Sequence, residues 1–218
     1  MRPSADDRSV RTALGRDGFS RRFPVSRETL AKLEAYVALL KAWNRRINLV
    51  APTSLGDVWR RHILDSAQLL PHVPRTVRVA VDLGSGAGLP GLILALLGVP
   101  EMHLVESDQR KAAFLREAVR VTGANAAIHA VRAEKISNLA ADLVVARALA
   151  PLTELLDIAE PFLQPHTICL YLKGRRVDEE LTLARQSWRM TARLLPSISD
   201  PSGVVLHLEA ISREPRPA

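Results

Sequence analysis

The sequence predicts an α/β fold, a mostly parallel, doubly wound seven-stranded sheet with helices on both faces and a small helical lobe at its N-terminus. Three observations carry the prediction. Seven short runs with strand character are spaced along residues 77–211, most of them separated by helical stretches. The first run passes directly into a glycine-rich turn and an apolar helix, the junction at which open α/β sheets bind their ligands. Residues 25–74 show helical periodicity and no strand-like run.

Residues 1–24 contain six arginines, three aspartates and two prolines without apolar periodicity, and are expected to form a flexible basic tail. Ser26 is a plausible N-cap for a helix whose Leu30, Leu33, Val37, Leu40, Trp43 and Ile47 recur in steps of three and four on one face. A second helix is expected after Pro52-Thr53-Ser54, carrying Val58, Ile63, Leu64, Ala67 and Leu70 and stopped by Pro71. These two make the N-terminal lobe, residues 25–74, and residues 75–218 the sheet domain. Val77–Val81 is the first strand and Met102–Val105 the second. A helix over Asp108–Thr122, closed by Gly123, follows the second strand. Further strands are expected at Ala127–Val131, Leu143–Ala146, Thr167–Leu172, Thr191–Leu195 and Val204–Ile211, with helices near Leu152–Phe162 and Val177–Trp188.

Composition excludes several classes. With 47% hydrophobic and 24% charged residues over 218 positions, the chain has the material for one packed core, not for a disordered or collagen-like chain. Its single cysteine, Cys169, offers no internal disulfide and no multi-cysteine zinc site, and its apolar neighbours Ile168 and Leu170 mark it as buried and unreactive. No metal site is expected. The longest nearly apolar stretch, Leu89 to Pro100, is interrupted by two prolines and two glycines, and the N-terminus lacks the apolar core of a signal peptide; a cytoplasmic protein with no membrane partner, acting as a monomer, is expected.

The net charge of +7 is unevenly spread. Residues 1–78 carry 15 Lys and Arg against 7 Asp and Glu, residues 79–170 carry 7 against 10, and residues 171–218 carry 8 against 6. A basic lobe beside a mildly acidic sheet suggests a polyanion on the first and chemistry on the second; a solvated arginine-rich face is the plainer alternative.

The turn Gly84-Ser85-Gly86-Ala87-Gly88 lets the backbone reverse sharply and lets a ligand approach its peptide groups. Gly86-x-Gly88-x-x-Gly91 also matches a dinucleotide fingerprint, in which case the chain would be a nicotinamide-dependent oxidoreductase. Asp82, two residues before the first glycine, disfavours a pyrophosphate and suits a ligand with an ammonium group and no phosphates, such as S-adenosylmethionine. Glu106 ends the second strand, where a carboxylate accepts the paired ribose hydroxyls of an adenosine cofactor. Ala133 and Glu134 follow the third strand at the place where an adenine edge would lie, although Glu134 also suits a helix start. Arg147 emerges at the carboxyl edge of the fourth strand, where it meets a cofactor carboxylate or a substrate phosphate, or forms a salt bridge to Asp82 or Glu134. His62 and Asp65, three apart, share a helix face and either bond each other or orient the lobe against the pocket. Asn44 and Asn48 either cap or read a base edge.

Together Trp43-Asn-Arg-Arg-Ile-Asn-Leu-Val50, His62-Ile-Leu-Asp-Ser66, Asp82-Leu-Gly-Ser-Gly-Ala-Gly-Leu-Pro-Gly91, Arg147-Ala148 and Lys173-Gly174 resemble the bacterial ribosomal RNA small-subunit methyltransferase G family, also called glucose-inhibited division protein B. The resemblance spans roughly residues 30–210; Glu106 stands where many members have Asp. It implies a class I methyltransferase of Rossmann-like fold that moves a methyl group from S-adenosylmethionine to N7 of a guanine in the decoding-region loop of 16S rRNA, free or in the small ribosomal subunit. Carried over by position, it implies cofactor contacts at Gly84, Leu89, Ala133, Glu134 and Arg147, with Gly86 shaping the turn and Glu106 at the ribose. N7 has a lone pair and no proton, so no catalytic acid or base is expected and alignment alone carries the reaction.

Arg45 and Arg46 in the lobe, and Lys173, Arg175 and Arg176 after the fifth strand, are the candidates for RNA phosphates. Five such contacts predict a log–log salt dependence of binding near about −3.5. Only nine aromatic residues are present, so no stacking platform for bases is expected. A methyltransferase for a small molecule or protein, and a non-catalytic RNA-binding factor on the same fold, are the other readings.

Overall fold

The computed structural model describes residues 13–214. Seven strands form one sheet in the order β3-β2-β1-β4-β5-β7-β6. They are β1 (Ala80–Leu83), β2 (Met102–Val105), β3 (Ala126–His129), β4 (Leu143–Arg147), β5 (Ile168–Lys173), β6 (Trp188–Pro196) and β7 (Val204–Arg213). The first five are parallel, and β7 runs antiparallel between β5 and β6. The order reverses between β1 and β4, so the crevice outside the carboxyl ends of these strands, after Leu83 and Arg147, is the topological switch point.

The helices are α1 (Arg16–Arg22), α2 (Arg27–Trp43), α3 (Asp65–Ala67), α4 (Gly91–Leu96), α5 (Gln109–Thr122), α6 (Leu152–Ala159) and α7 (Val177–Ala184). α2 begins as the sequence predicts, with Ser26 Oγ accepting the Thr29 N–H at 3.0 Å. It buries Leu30, Leu33, Val37 and Leu40, and also Tyr36, whose hydroxyl donates to the Ala87 carbonyl at 2.6 Å. α5 is capped by Asp108 and closed by Gly123 in the left-handed conformation at φ +64°.

Four expectations are corrected. Residues 16–22, inside the predicted tail, form α1, which buries Phe19 against Phe23 and Trp59 at ring distances of 5.9 and 5.6 Å; one aromatic anchor is too short a pattern for periodicity to reveal. Residues 1–12 of the predicted tail lie outside the described residues. The second lobe helix is broken into a 3₁₀ turn (Pro52–Asp57), a π-helical turn (Trp59–Leu64), α3 and another 3₁₀ turn (Leu70–His72). Trp188 starts β6 rather than ending α7, because it packs beneath the Arg213 guanidinium of the neighbouring β7. The expected single core is two apolar layers, one on each sheet face. The first joins α2, α4 and α5 through Leu33, Leu40, Leu92 and Phe114, so the N-terminal segment shares its core with the sheet. The second packs α6 and α7 through Leu156, Phe162, Leu181 and Trp188. Cys169 is fully buried in that layer and its thiol is pushed up to about 12 by burial, consistent with its reading as inert.

Candidate cofactor and substrate clefts

β1 delivers the glycine turn to the carboxyl edge. Gly84, Gly86 and Gly88 all have positive φ, at +64°, +55° and +79°, a conformation that L side chains rarely adopt. A Cβ on Gly86 would meet nothing closer than 3.8 Å, so the turn leaves open space above its backbone. Asp82 is fully buried beneath the turn. Its Oδ2 accepts the Gly91 N–H at 3.1 Å, which ties α4 to β1, while Oδ1 has no hydrogen-bond partner among the described residues; burial pushes its carboxyl up to about 7. Asp82 does not line either of the two clefts described below.

A cleft of about 350 Å³ lies beside the turn, lined by Gly84, Glu106, Ala133, Glu134, Ala148 and Leu149 among others. Glu106 is aimed by the backbone: Oε2 accepts the Gly86 N–H at 2.9 Å and Oε1 the Asp108 N–H at 2.8 Å. Each oxygen retains a further lone pair, so the carboxylate is fixed and still able to accept a hydroxyl. Leu149 covers Gly84, where a Cβ would lie 2.5 Å from Leu149 Cδ1.

A second cleft, of about 430 Å³, is lined by Leu49, Val50, Ser54, Arg61, His62, Asp65, Arg147 and Ser199 among others. Ala148, in the left-handed region at φ +49°, lines both clefts and is the wall they share. Arg147 is held at one corner of its guanidinium: Nη1 donates to the Arg61 carbonyl (3.1 Å), His62 Nδ1 (3.1 Å) and Asp65 Oδ2 (3.3 Å). Its salt-bridge partner is therefore Asp65, not Asp82 or Glu134. An i to i−5 bond from the Asp65 N–H to the Arg60 carbonyl closes the π-helical turn that carries His62 toward this corner. His62 and Asp65 thus meet through Arg147 rather than bonding each other.

The hydrogen bonds fix the histidine tautomer. Ser54 Oγ donates to the Ala51 carbonyl at 2.6 Å, so the contact of 2.7 Å with His62 Nε2 has the ring as donor, and Nδ1 is the acceptor for Arg147. Burial, then the Arg147 and Arg61 charges, depress the His62 pKa to about 3, so the ring is neutral in ordinary buffers. Asp65 is fixed in turn by Gln68 Nε2 (3.0 Å) and by a short hydrogen bond from Ser199 Oγ in the β6–β7 turn.

The predicted site residues separate into groups. Gly84, Glu106, Ala133 and Glu134 gather at the glycine-turn cleft, and Gly86 bonds Glu106 at its edge. Arg147 lies in the adjoining cleft. Leu89 lines neither, because its side chain is packed in the first apolar layer. Arg45, Arg46, Arg175 and Arg176 are exposed and make no ion pair among the described residues. Lys173 is not available as a phosphate clamp: its Nζ is inside, 2.7 Å from Glu180 Oε2 and 2.8 Å from the Ala150 carbonyl, with the side chain only 9% exposed. Asn44 caps its own loop, its Oδ1 accepting the Leu49 and Val50 N–H groups at 3.0 and 2.9 Å; Asn48 is exposed. Ser54, Gln68 and Ser199 were not legible as site residues. Ser54 falls in the recognised Pro52-Thr53-Ser54 turn, whereas Ser199 reaches Asp65 from 134 residues away.

Comparison with known proteins agrees with this geometry. Residues 29–201 match the family profile described as rRNA small subunit methyltransferase G. The chain is 59% identical over 194 residues to the ribosomal RNA small subunit methyltransferase G of Rhodospirillum centenum, covering 89% of this chain and 90% of the relative. It is 52% identical to the protein of the same name from Rhodospirillum rubrum, covering 90% and 98%. Among solved structures it resembles a ribosomal protein L11 methylase from Lactobacillus delbrueckii subsp. bulgaricus (TM-score 0.55, 17% identity, 69% of this chain and 77% of that one). It also resembles M. jannaschii TYW2 in complex with AdoMet (TM-score 0.54, 15% identity, 78% and 80%). At these identities the structural likeness shows the fold alone, that of the class I methyltransferases. The sequence matches go further: the chain belongs to the rRNA small subunit methyltransferase G family.

Proposed function

We propose that the protein transfers a methyl group from S-adenosylmethionine to N7 of a guanine in the decoding-region loop of 16S rRNA, acting as a cytoplasmic monomer. The observation that carries this reading, beside the family, is the pair of clefts that share Ala148 as a wall at the switch point. One has the fixed carboxylate and open glycine turn that an adenosine needs, and the other is bordered by arginines.

The residues present fit the cofactor. The open space above Gly86 and the spare lone pairs of Glu106 suit a ribose, Ala133 and Glu134 suit an adenine edge, and a cleft of about 350 Å³ lies within the usual range for small ligands. Arg147, with Nε and Nη2 unbonded among the described residues, would hold the cofactor carboxylate near the shared wall. When bound, S-adenosylmethionine supplies a methyl group on a sulfonium that is displaced in line by a nucleophile. Guanine N7 presents its lone pair without a proton, so neutral His62 has no proton to take; it and Asp65 position Arg147. The chain's contribution is alignment and exclusion of water, for which about 7–11 kcal/mol is the upper range.

Glu106→Ala removes the hydroxyl acceptor and leaves the Gly86 and Asp108 N–H groups without theirs. Calorimetric affinity for S-adenosylmethionine is expected to fall about 100-fold, from two charge-assisted hydrogen bonds at about 1.5 kcal/mol each; a change within twofold would place the ribose elsewhere. With Lys173 internal, four exposed arginines remain for RNA, and the salt dependence of binding is expected near about −2.8 rather than −3.5. The reading itself is tested by incubating the chain with tritiated S-adenosylmethionine and small-subunit particles or their RNA. Label in the RNA is expected; label in protein, or none, would overturn it.

A further inference from the structure

A further cavity of about 540 Å³, sharing no lining residue with either cleft, lies between the C-terminal end of α2 and the start of α5. Leu39, Trp43 and Ile47 give it an apolar floor, and Arg45, Arg46 and Arg110 line it as well. Trp43 is half-buried, with its ring set edgewise against Phe114 at 5.7 Å and 66°, so the indole is held in one orientation. Arg110 is paired with Asp108 at 3.0 Å, whereas Arg45 and Arg46 have no anionic partner among the described residues. An aromatic floor with unneutralised guanidinium groups beside it is complementary to a nucleotide, which presents a π face and a phosphate together. It is poorly matched to an apolar peptide, which would leave both arginines without an anion.

The groove is joined to the arginine cleft by one rigid loop. Asn44 clamps it through three hydrogen bonds, to the Leu49 and Val50 N–H groups and the Val50 carbonyl. Arg45, Arg46 and Ile47 face the groove, and Leu49, Val50 and Ala51 line the cleft. Resting on the reading of RNA as substrate, we propose that the groove is a second nucleotide subsite. It holds an unpaired base of the RNA strand on Trp43, with flanking phosphates on Arg45 and Arg46, while the target base occupies the arginine cleft. The low aromatic content of the chain argued against a stacking platform, but one aromatic ring is enough for one base.

The test uses fluorescence anisotropy of a 5′-fluorescein-labelled single-stranded RNA 12-mer of mixed sequence, titrated with the full chain at several salt concentrations. Affinity for S-adenosylmethionine is measured alongside as the check on folding. Trp43→Phe should bind within about twofold of the wild type, and Trp43→Leu about tenfold more weakly with an unchanged salt slope. The R45E/R46E variant should lose tenfold or more and flatten the slope by about 1.4, two phosphates' worth. Equal affinities for the Phe and Leu variants, or wild-type affinity and slope in R45E/R46E, would overturn the subsite while leaving RNA methylation standing. A wild-type chain that binds no RNA would overturn both. A dimer that the Trp43→Leu change dissociates, without effect on RNA, would assign the groove to a second copy and overturn the subsite.

Discussion

Arg147→Ala is expected to abolish methyl transfer while leaving RNA binding largely intact. The guanidinium reaches the switch point from the sheet itself, at the last residue of β4. Three acceptors from the π-helical turn and α3 hold it there. Truncation removes the cation beside the shared wall and leaves His62 Nδ1 and Asp65 Oδ2 without their donor. Side-chain exposures of 20% and 17% at the Arg147–Asp65 pair moderate the stability cost, about 1–2 kcal/mol after screening. The activity loss is larger, because misplacement of a reacting group by about 1 Å costs on the order of 10²-fold. Initial rates on small-subunit RNA, read beside a thermal midpoint, separate the two effects. Unchanged activity would remove Arg147 from the site. Arg147→Lys should recover little, since one ammonium cannot reproduce a fork held at Nη1 with two further nitrogens free.

Gly91→Ala is expected to be the most destabilising single-methyl change in the chain. The added Cβ would lie 2.5 Å from Asp82 Cβ, 2.7 Å from Asp82 Oδ2 and 2.8 Å from Leu104 Cδ2. The first of these atoms is fixed to β1, so no side-chain rotation relieves the contact; α4 must move off the sheet and the Gly91–Asp82 hydrogen bond breaks with it. Overpacking plus a buried carboxyl without its donor costs about 3–5 kcal/mol. The penalty also depends on pH. The Asp82 pKa in the folded chain, about 7, lies above its ordinary value of 3.8, so its contribution is complete in acid and is lost as the pH rises through about 7. The Gly91 N–H favours the carboxylate, so its loss weighs more at pH 8 than at pH 6. Chemical denaturation at both pH values reads this out. A midpoint equal to the wild type would show that strand and helix do not meet at Gly91.

Much of the sheet was legible because buried parallel strands and their helices are long, regular patterns. The periodicity of Leu30 to Leu40 and the cap at Ser26 gave α2, and the glycine turn gave the junction after β1. Glu106, Ala133 and Glu134 were placed by their positions at strand ends, which the parallel register brings to one edge. The parts that escaped depend on contacts between distant segments. Nothing local distinguishes Arg147 as a partner of Asp65, or Ser199 as the residue that fixes Asp65. Lys173 read as a phosphate ligand because its neighbours are Arg175 and Arg176; its burial follows from Glu180 on α7, which folds back over the end of β5. Phe19 and Trp188 are single aromatic anchors, and one residue has no period. The groove at Trp43 closes only where the end of α2, the loop after it and the start of α5 meet, so Arg45 and Arg46 were legible as phosphate candidates while Trp43 and Ile47 read only as part of the apolar face of a helix.

The two clefts meeting at Ala148 are proposed to deliver a methyl group to guanine N7 in small-subunit RNA. N7-methylation leaves a guanosine open to borohydride reduction and aniline scission, so the modified position can be read directly on the RNA after reaction with the chain and S-adenosylmethionine. One new cleavage at a guanine of the decoding-region loop is predicted, absent with the Arg147→Ala variant. Methylated RNA that resists this cleavage would contradict the atom assigned, and cleavage outside that loop would contradict the site.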